Sequence, residues 1–89
     1  MAQARTIEIL YFARLRDKIG LEAETISLPD TAITVADLLS LVERRSDAHE
    51  EAFSDAASIR AALDQEHAEM DAAIGNAKEV AFFPPMTGG

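Results

Sequence analysis

Between Thr6 and Ala13 the chain reads Thr-Ile-Glu-Ile-Leu-Tyr-Phe-Ala, a run rich in β-branched and aromatic residues. Strand alternation puts Ile7, Ile9 and Tyr11 on one face and Leu10 and Phe12 on the other. A strand apolar on both faces near its end is either central in its sheet or turned toward a partner. Arg14 to Ile19 reads as a short charged connection closed by Gly20. Glu22 to Leu28 then alternates again and stops at the turn signal Pro29-Asp30. The clearest helix follows. Thr34 is a good N-cap with Asp37 three residues on, a capping-box variant that also sets negative charge at the positive end of the helix. Val35, Leu38, Leu39 and Val42 fall at i, i+3, i+4 and i+7, one apolar stripe, and Arg44-Arg45 close the helix with the sign its dipole prefers.

The second half is less regular. Ser46 to Ser58 is acidic and alanine-rich with Phe53 its single large apolar residue, and reads as a loop or a weak, largely exposed helix. Ile59 to Leu63 is a short strand candidate, although its two alanines would also suit a helix. Asp64 to Asp71 is polar, Met70 to Ile74 is a candidate single turn, and Gly75-Asn76 turns the chain into a last strand, Glu79 to Phe83. Strand, strand, helix, strand and final strand are satisfied by one amphipathic helix packed across one face of a mixed sheet. The N- and C-terminal strands then lie side by side and parallel. This is an α+β arrangement of the β-grasp, or ubiquitin-like, kind. It divides the chain into a domain over residues 1–83 and an extended, protruding C-terminal tail over residues 84–89.

Composition narrows the function classes. Sixteen acidic against eight basic residues give a net charge of -8, which argues against a nucleic-acid or anionic-membrane surface. With no cysteine there is neither a disulfide nor a thiolate metal site, and any sulfur chemistry must be carried by something other than a thiol. No apolar stretch approaches a membrane span and no secretory h-region opens the chain, so the expected location is the cytoplasm.

Within the body, candidate chemistry is sparse. His49 and His67 each sit alone among carboxylates in a polar segment. His67 and Asp71 have an i, i+4 spacing that can hold a metal, but both histidines read as solvated surface residues and no metal site is expected. No serine has the glycine-flanked setting of a nucleophile, and four glycines, two of them terminal, leave no phosphate-cradling loop. Arg14, Arg16 and Lys18 form a small basic patch of the sort common on solvated turns.

The tail is different. Phe82-Phe83-Pro84-Pro85-Met86-Thr87-Gly88-Gly89 joins an apolar strand to two prolines that stiffen an extended segment and two glycines that fit a narrow channel. The alternative is a frayed terminus. At the tip stands an unshielded α-carboxylate. A carboxylate is a poor electrophile, so chemistry at Gly89 requires activation, most simply as an acyl-adenylate made with ATP. The activated carbonyl then forms a thioester or isopeptide, or takes sulfur to become a thiocarboxylate. Phe82 and Phe83 point to opposite sheet faces, so one can fill the core while the other stands exposed beside the tail as an interface anchor; burial of both under loops is the other arrangement.

The stretch Glu79 to Gly89 closely resembles the C-terminus of the small, MoaD-like sulfur carrier subunits of molybdopterin synthase, and Leu10-Tyr11-Phe12-Ala13-Arg14-Leu15-Arg16-Asp17 is similar to that family's opening strand and turn. The resemblance covers essentially the whole chain. It implies the β-grasp fold and a chain that is not catalytic alone and binds no cofactor. Gly89 would be adenylated by an E1-like adenylyltransferase using ATP, and converted to a thiocarboxylate with sulfur from a donor protein. Phe83, Pro84, Pro85, Met86, Thr87 and Gly88 would seat the tail in the large subunit of a heterotetrameric synthase, where sulfur passes to cyclic pyranopterin monophosphate in molybdenum cofactor synthesis. Two places depart from the family's pattern. Asp64 stands where asparagine is typical, and Gly75-Asn76-Ala77-Lys78-Glu79 replaces a more acidic Gly-Asp-Glu turn. Competing functions are a sulfur carrier for thiamine thiazole or tRNA thiolation, a ubiquitin-like modifier conjugating through Gly89, and a plain binding module with an inert tail.

Overall fold

The computed structural model describes residues 5–54 and 58–85. Five strands form one sheet in the order β2-β1-β5-β3-β4, with β1 spanning Arg5–Tyr11, β2 Ala23–Leu28, β3 Arg60–Leu63, β4 Glu66–Ala68 and β5 Glu79–Phe83. Only β1 and β5 run parallel, paired from Glu8↔Glu79 to Tyr11↔Phe82, whereas β1–β2, β3–β4 and β3–β5 are antiparallel. The sheet is mixed, with β5 at its centre, as the β-grasp reading expects.

One apolar cluster backs the sheet. Ile7, Ile9 and Tyr11 of β1, Ile26 and Leu28 of β2, and Val80 and Phe82 of β5 all face it. Helix α2, Val35–Glu43, buries Val35, Leu38, Leu39 and Val42 against this face, the four positions of the sequence stripe. Its capping box is complete: Asp37 N–H donates to the Thr34 hydroxyl, and Asp37 Oδ2 accepts from the N–H groups of Thr34 and Ile33. Two further first-turn N–H groups, which no helix can satisfy internally, donate to carbonyls of the long connection: Val35 to Ala72 and Ala36 to Met70. The irregular stretch before β5 thus acts as a second cap on α2.

One expected element is corrected. The charged connection after β1 is a helix, α1, Ala13–Ile19, with Leu15 fully buried and Ile19 packed on the core. Two apolar residues at i, i+4 are too few to reveal a helical period. The helix ends on Gly20, whose φ of 85° lets its N–H return to the Arg16 carbonyl. The basic side chains are exposed there, two in loose ion pairs, Arg16–Glu22 at 3.8 Å and Lys18–Glu51 at 3.9 Å.

The acidic segment after α2 is the helix allowed for, exposed at Asp47, Glu50 and Glu51, but it also has a buried side. Ser46 caps a short helix, α3, Asp47–Ala52, that buries His49 and Ala52 and delivers Phe53 into the core. Three buried side chains in eight residues are enough once the segment has a sheet to lie on. Residues 55–57 of the same segment lie outside the described residues.

Asp64, the departure at the β3–β4 turn, has a structural use. Asp64 and Gln65 both have positive φ, as a two-residue type I′ hairpin demands. Asp64 Oδ1 accepts from the N–H groups of Lys78 and Glu79, and Asp64 N–H donates to the Glu79 carbonyl. A carboxylate oxygen here does what an asparagine amide oxygen would do. Among the described residues no helix is long and apolar enough to cross a membrane.

If Phe53 is a core residue, Phe53→Ala should cost about 3–5 kcal/mol. Urea unfolding measures it; a loss under about 1 kcal/mol would return the segment to the surface.

Candidate functional site

Two features stand out: the root of the tail and a polar cluster beneath it. The root is the end of β5. Phe82 is fully buried and pairs with Tyr11 on one side and Ala61 on the other. Its carbonyl accepts from Phe12 N–H at 3.3 Å, close to where β1 turns into α1 through Ala13 at a φ of 53°. Phe83, opposite Arg60, points away from the helices and is half-buried, and Pro84 and Pro85 continue half-buried beyond the strand. The structure therefore separates the two phenylalanines as alternation requires, Phe82 to the core and Phe83 to the open face. Met86, Thr87, Gly88 and Gly89 lie outside the described residues.

On that open face alternation also places Leu10, Ala81 and Ala62 in register across β1, β5 and β3. Phe12, 46% exposed, extends the row beside Phe83 at the end from which the tail leaves. Arg60 stands at its border. An apolar strip rimmed by charge and continuous with an extended segment is suited to bury against another protein.

Beneath the root lies a cluster that the sequence reading missed. His49, read as a solvated histidine, is 6% exposed. Its Nε2 lies 2.6 Å from Glu24 Oε2, and its Nδ1 2.7 Å from the Ser46 hydroxyl. Glu24 Oε2 also accepts the Tyr11 hydroxyl at 2.6 Å, while Glu24 Oε1 accepts from Arg45 Nε at 3.1 Å. With Glu24 ionised, Nε2 must carry a proton to donate, which leaves Nδ1 free to accept from Ser46 when the ring is neutral. No local signal could have revealed this, because Tyr11, Glu24 and His49 lie on β1, β2 and α3.

The arrangement of serine, imidazole and carboxylate has the look of an acyl-transfer relay. The Ser46 oxygen, however, also accepts the His49 backbone N–H at 3.2 Å as the N-cap of α3, which commits it to holding the helix. The cluster is a clamp between α3 and the first two strands. His67, by contrast, is exposed on β4, as expected. Among the described residues no group of three or more acidic or histidine side chains converges as a metal site would.

The electrostatics follow from the same contacts. Burial alone pushes the Glu24 carboxyl up, but hydrogen bonds from Tyr11 and His49 and the Arg45 charge outweigh it, so the carboxyl is held below its ordinary range. Tyr11 goes the other way: burial first, then its bond to the Glu24 carboxylate, drive the phenol well above its ordinary value of 10.0. A depressed carboxyl stabilises the fold above its ordinary pKa and loses that contribution as pH falls. A raised phenol stabilises it below 10.0 and loses that contribution as pH rises.

Comparison with known proteins bears on the tail directly. The pattern that defines the ThiS family matches residues 9–89. The chain is 34% identical over 88 residues to the molybdopterin synthase sulfur carrier subunit of Mycosarcoma maydis, covering 94% of each chain. It is 34% identical over 83 residues to the protein of the same name in Escherichia coli strain K12, covering 93% of this chain and 99% of that one. Among solved structures, SAMP1 of Haloferax volcanii superposes with a TM-score of 0.69 at 27% identity, covering 96% of this chain and all of the other.

Because Tyr11 is the single tyrosine and there is no tryptophan, near-ultraviolet phenolate absorbance reports on this cluster alone. On raising the pH through 10.0 the folded protein should show no phenolate signal, which should appear only with cooperative alkaline unfolding. A smooth titration near the ordinary value in folded protein would mean the Tyr11–Glu24 bond does not persist in solution.

Proposed function

The chain belongs to the ThiS family, in the company of the molybdopterin synthase sulfur carrier subunits it aligns with along nearly their whole length, and on this premise we propose that it carries sulfur on the C-terminus of its tail. The observation that bears most weight is the position of β5. A central strand anchored on both sides runs straight into Pro84-Pro85, so a rigid body presents a thin extension beside an apolar face.

The chemistry on the tip proceeds in two steps. A carboxylate oxygen of Gly89 attacks the α-phosphorus of ATP within an activating enzyme, and pyrophosphate leaves. A hydrosulfide ion then attacks the acyl carbonyl, the acyl–phosphate bond breaks, AMP departs, and a thiocarboxylate remains. Glycine at both terminal positions matters because each partner must bring a reagent within bonding distance of the carbonyl, and effective molarity falls steeply with misplacement. The loaded tail enters the large subunit of a molybdopterin synthase. There the thiocarboxylate sulfur bonds to a carbon of a pyranopterin, and water cleaves the acyl–sulfur bond, which leaves the sulfur on the pterin and restores the carboxylate.

Docking is the task of the open sheet face. Phe83 is the anchor, with Phe12, Leu10 and Ala81 completing a strip that loses its water on contact. Pro84 and Pro85 reduce the entropy lost when the tail is threaded. A second reading is favoured by the superposition on SAMP1, a small archaeal modifier protein: the same activated Gly89 would be attacked by a lysine amine of a target instead of by sulfur.

Intact-mass spectrometry after incubation with an activating enzyme, ATP and a sulfide source tests the carrier reading. The expected product has one oxygen exchanged for sulfur; conjugates to other proteins in its place would favour the modifier. Chain extension beyond Gly89, or Gly88→Phe, should abolish loading with thermal stability unchanged. An extended chain that retains full activity would sink the proposal. Phe83→Ala should weaken binding to the large subunit by about 2 kcal/mol, roughly 30-fold in Kd, as loss of an anchor does. Unchanged affinity would remove Phe83 from that role.

A further inference from the structure

The polar clamp and the root of the tail are joined by a continuous row of rings. His49 meets Tyr11 edge-on at 5.9 Å, Tyr11 meets Phe53 at 6.2 Å, and Phe53 meets Phe82 at 5.4 Å, each steeply inclined to the next. Phe82 is the last fully buried residue before the tail. Phe53 immediately follows α3, and α3 is held at its start by Ser46 and along its length by the His49–Glu24 contact. Glu24 also ties Tyr11 and Arg45, so one carboxylate binds β1, α3 and the chain after α2. Release of the clamp frees the segment that carries Phe53, and the ring wedged beneath Phe82 goes with it.

We propose that Glu24, Tyr11, His49 and Phe53 are positioning residues for the tail: they fix Phe82, and so the direction in which Phe83 and Pro84 leave the sheet. The inference rests on the sulfur-carrier reading for its consequence, since a tail of preset direction enters a partner's channel with less ordering left to do. It rests on geometry alone for its cause. A clamp of buried polar groups is suited to the task because it specifies one arrangement, whereas apolar packing of equal stability tolerates several.

The test uses the full-length chain with His49→Leu and Tyr11→Phe, which keep the buried bulk and remove hydrogen bonds. Leu28→Val, at the far end of β2 where it pairs with Arg5, serves as a core variant remote from the root. Backbone 15N relaxation is read at the amides of Phe82 and Phe83, with Ile7 as internal reference. In the two clamp variants the order parameter at Phe83 should fall from about 0.85 toward about 0.6, with Ile7 unchanged. The KM of the activating enzyme for the chain should rise about three- to tenfold at constant kcat, since the cost lies in ordering the tail and not in the chemistry. Leu28→Val should move neither quantity, whatever it does to Tm. Wild-type order at Phe83 in both clamp variants overturns the proposal, as does an equal loss of order in Leu28→Val. If the wild-type chain is never activated, the carrier reading falls, and the order parameters by themselves decide whether the clamp positions the tail.

Discussion

Parallel pairing of β1 with β5 joins the two ends of the chain at the centre of one sheet, and the other features of the molecule take their places from it. A parallel pair cannot be closed by a tight turn; it needs a crossover, and here the crossover is nearly the whole protein. Between Tyr11 and Glu79 the chain adds β2, β3 and β4 to the sheet and lays its helices against one face before it returns as β5. The pairing costs much loop-closure entropy, and the rings at its end repay it: Tyr11 and Phe82, in register, are both buried against Phe53. The tail then leaves a strand held on both sides and not a frayed edge.

The two faces of the sheet differ in what the described residues place on them. The inner face holds three helices and a closed apolar cluster. On the outer face the described residues leave a narrower apolar strip, partly exposed at Leu10 and Phe83 with Ala81 buried between them. β1 and β5 are apolar on both sides near their ends: one side packs the core and the other carries Leu10 and Phe83, the face to which docking is assigned in the proposal above. The strip is bordered by charge at both ends, by Arg60 opposite Phe83 and by the Glu8–Glu79 pair below Leu10 and Ala81.

The buried cluster around Glu24 shows how a small domain handles polarity inside. Glu24 accepts from a phenol and an imidazole and pairs with a guanidinium, and among the described residues no buried side-chain nitrogen or oxygen lacks a partner. Left without these partners, the carboxyl would keep only the effect of its burial, which raises its pKa. Supplied with them, it stays ionised and draws three segments together. The surface pairs on α1, long and exposed, do no comparable work.

Local pattern alone determined much of this protein. The capped helix α2 needed only its stripe and its capping box, the alternation of β1 and β5 assigned Phe82 and Phe83 to opposite faces, and the order of elements implied the parallel pairing. The family was legible because its signature lies in residue types at one end of the chain and not in convergence of distant groups. Tertiary structure alone decided the rest. Helix α1 shows only Leu15 and Ile19 to the core, too few to display a period. Segment 46–54 is polar in composition and becomes a core element only when a sheet and Tyr11 are there to receive Phe53 and His49. The state of His49 was set by Glu24, which is 25 residues away in sequence and 2.6 Å away in space. Propensity and periodicity are properties of neighbours along the chain. Burial and hydrogen-bond satisfaction of a lone polar residue belong to whatever the fold brings against it.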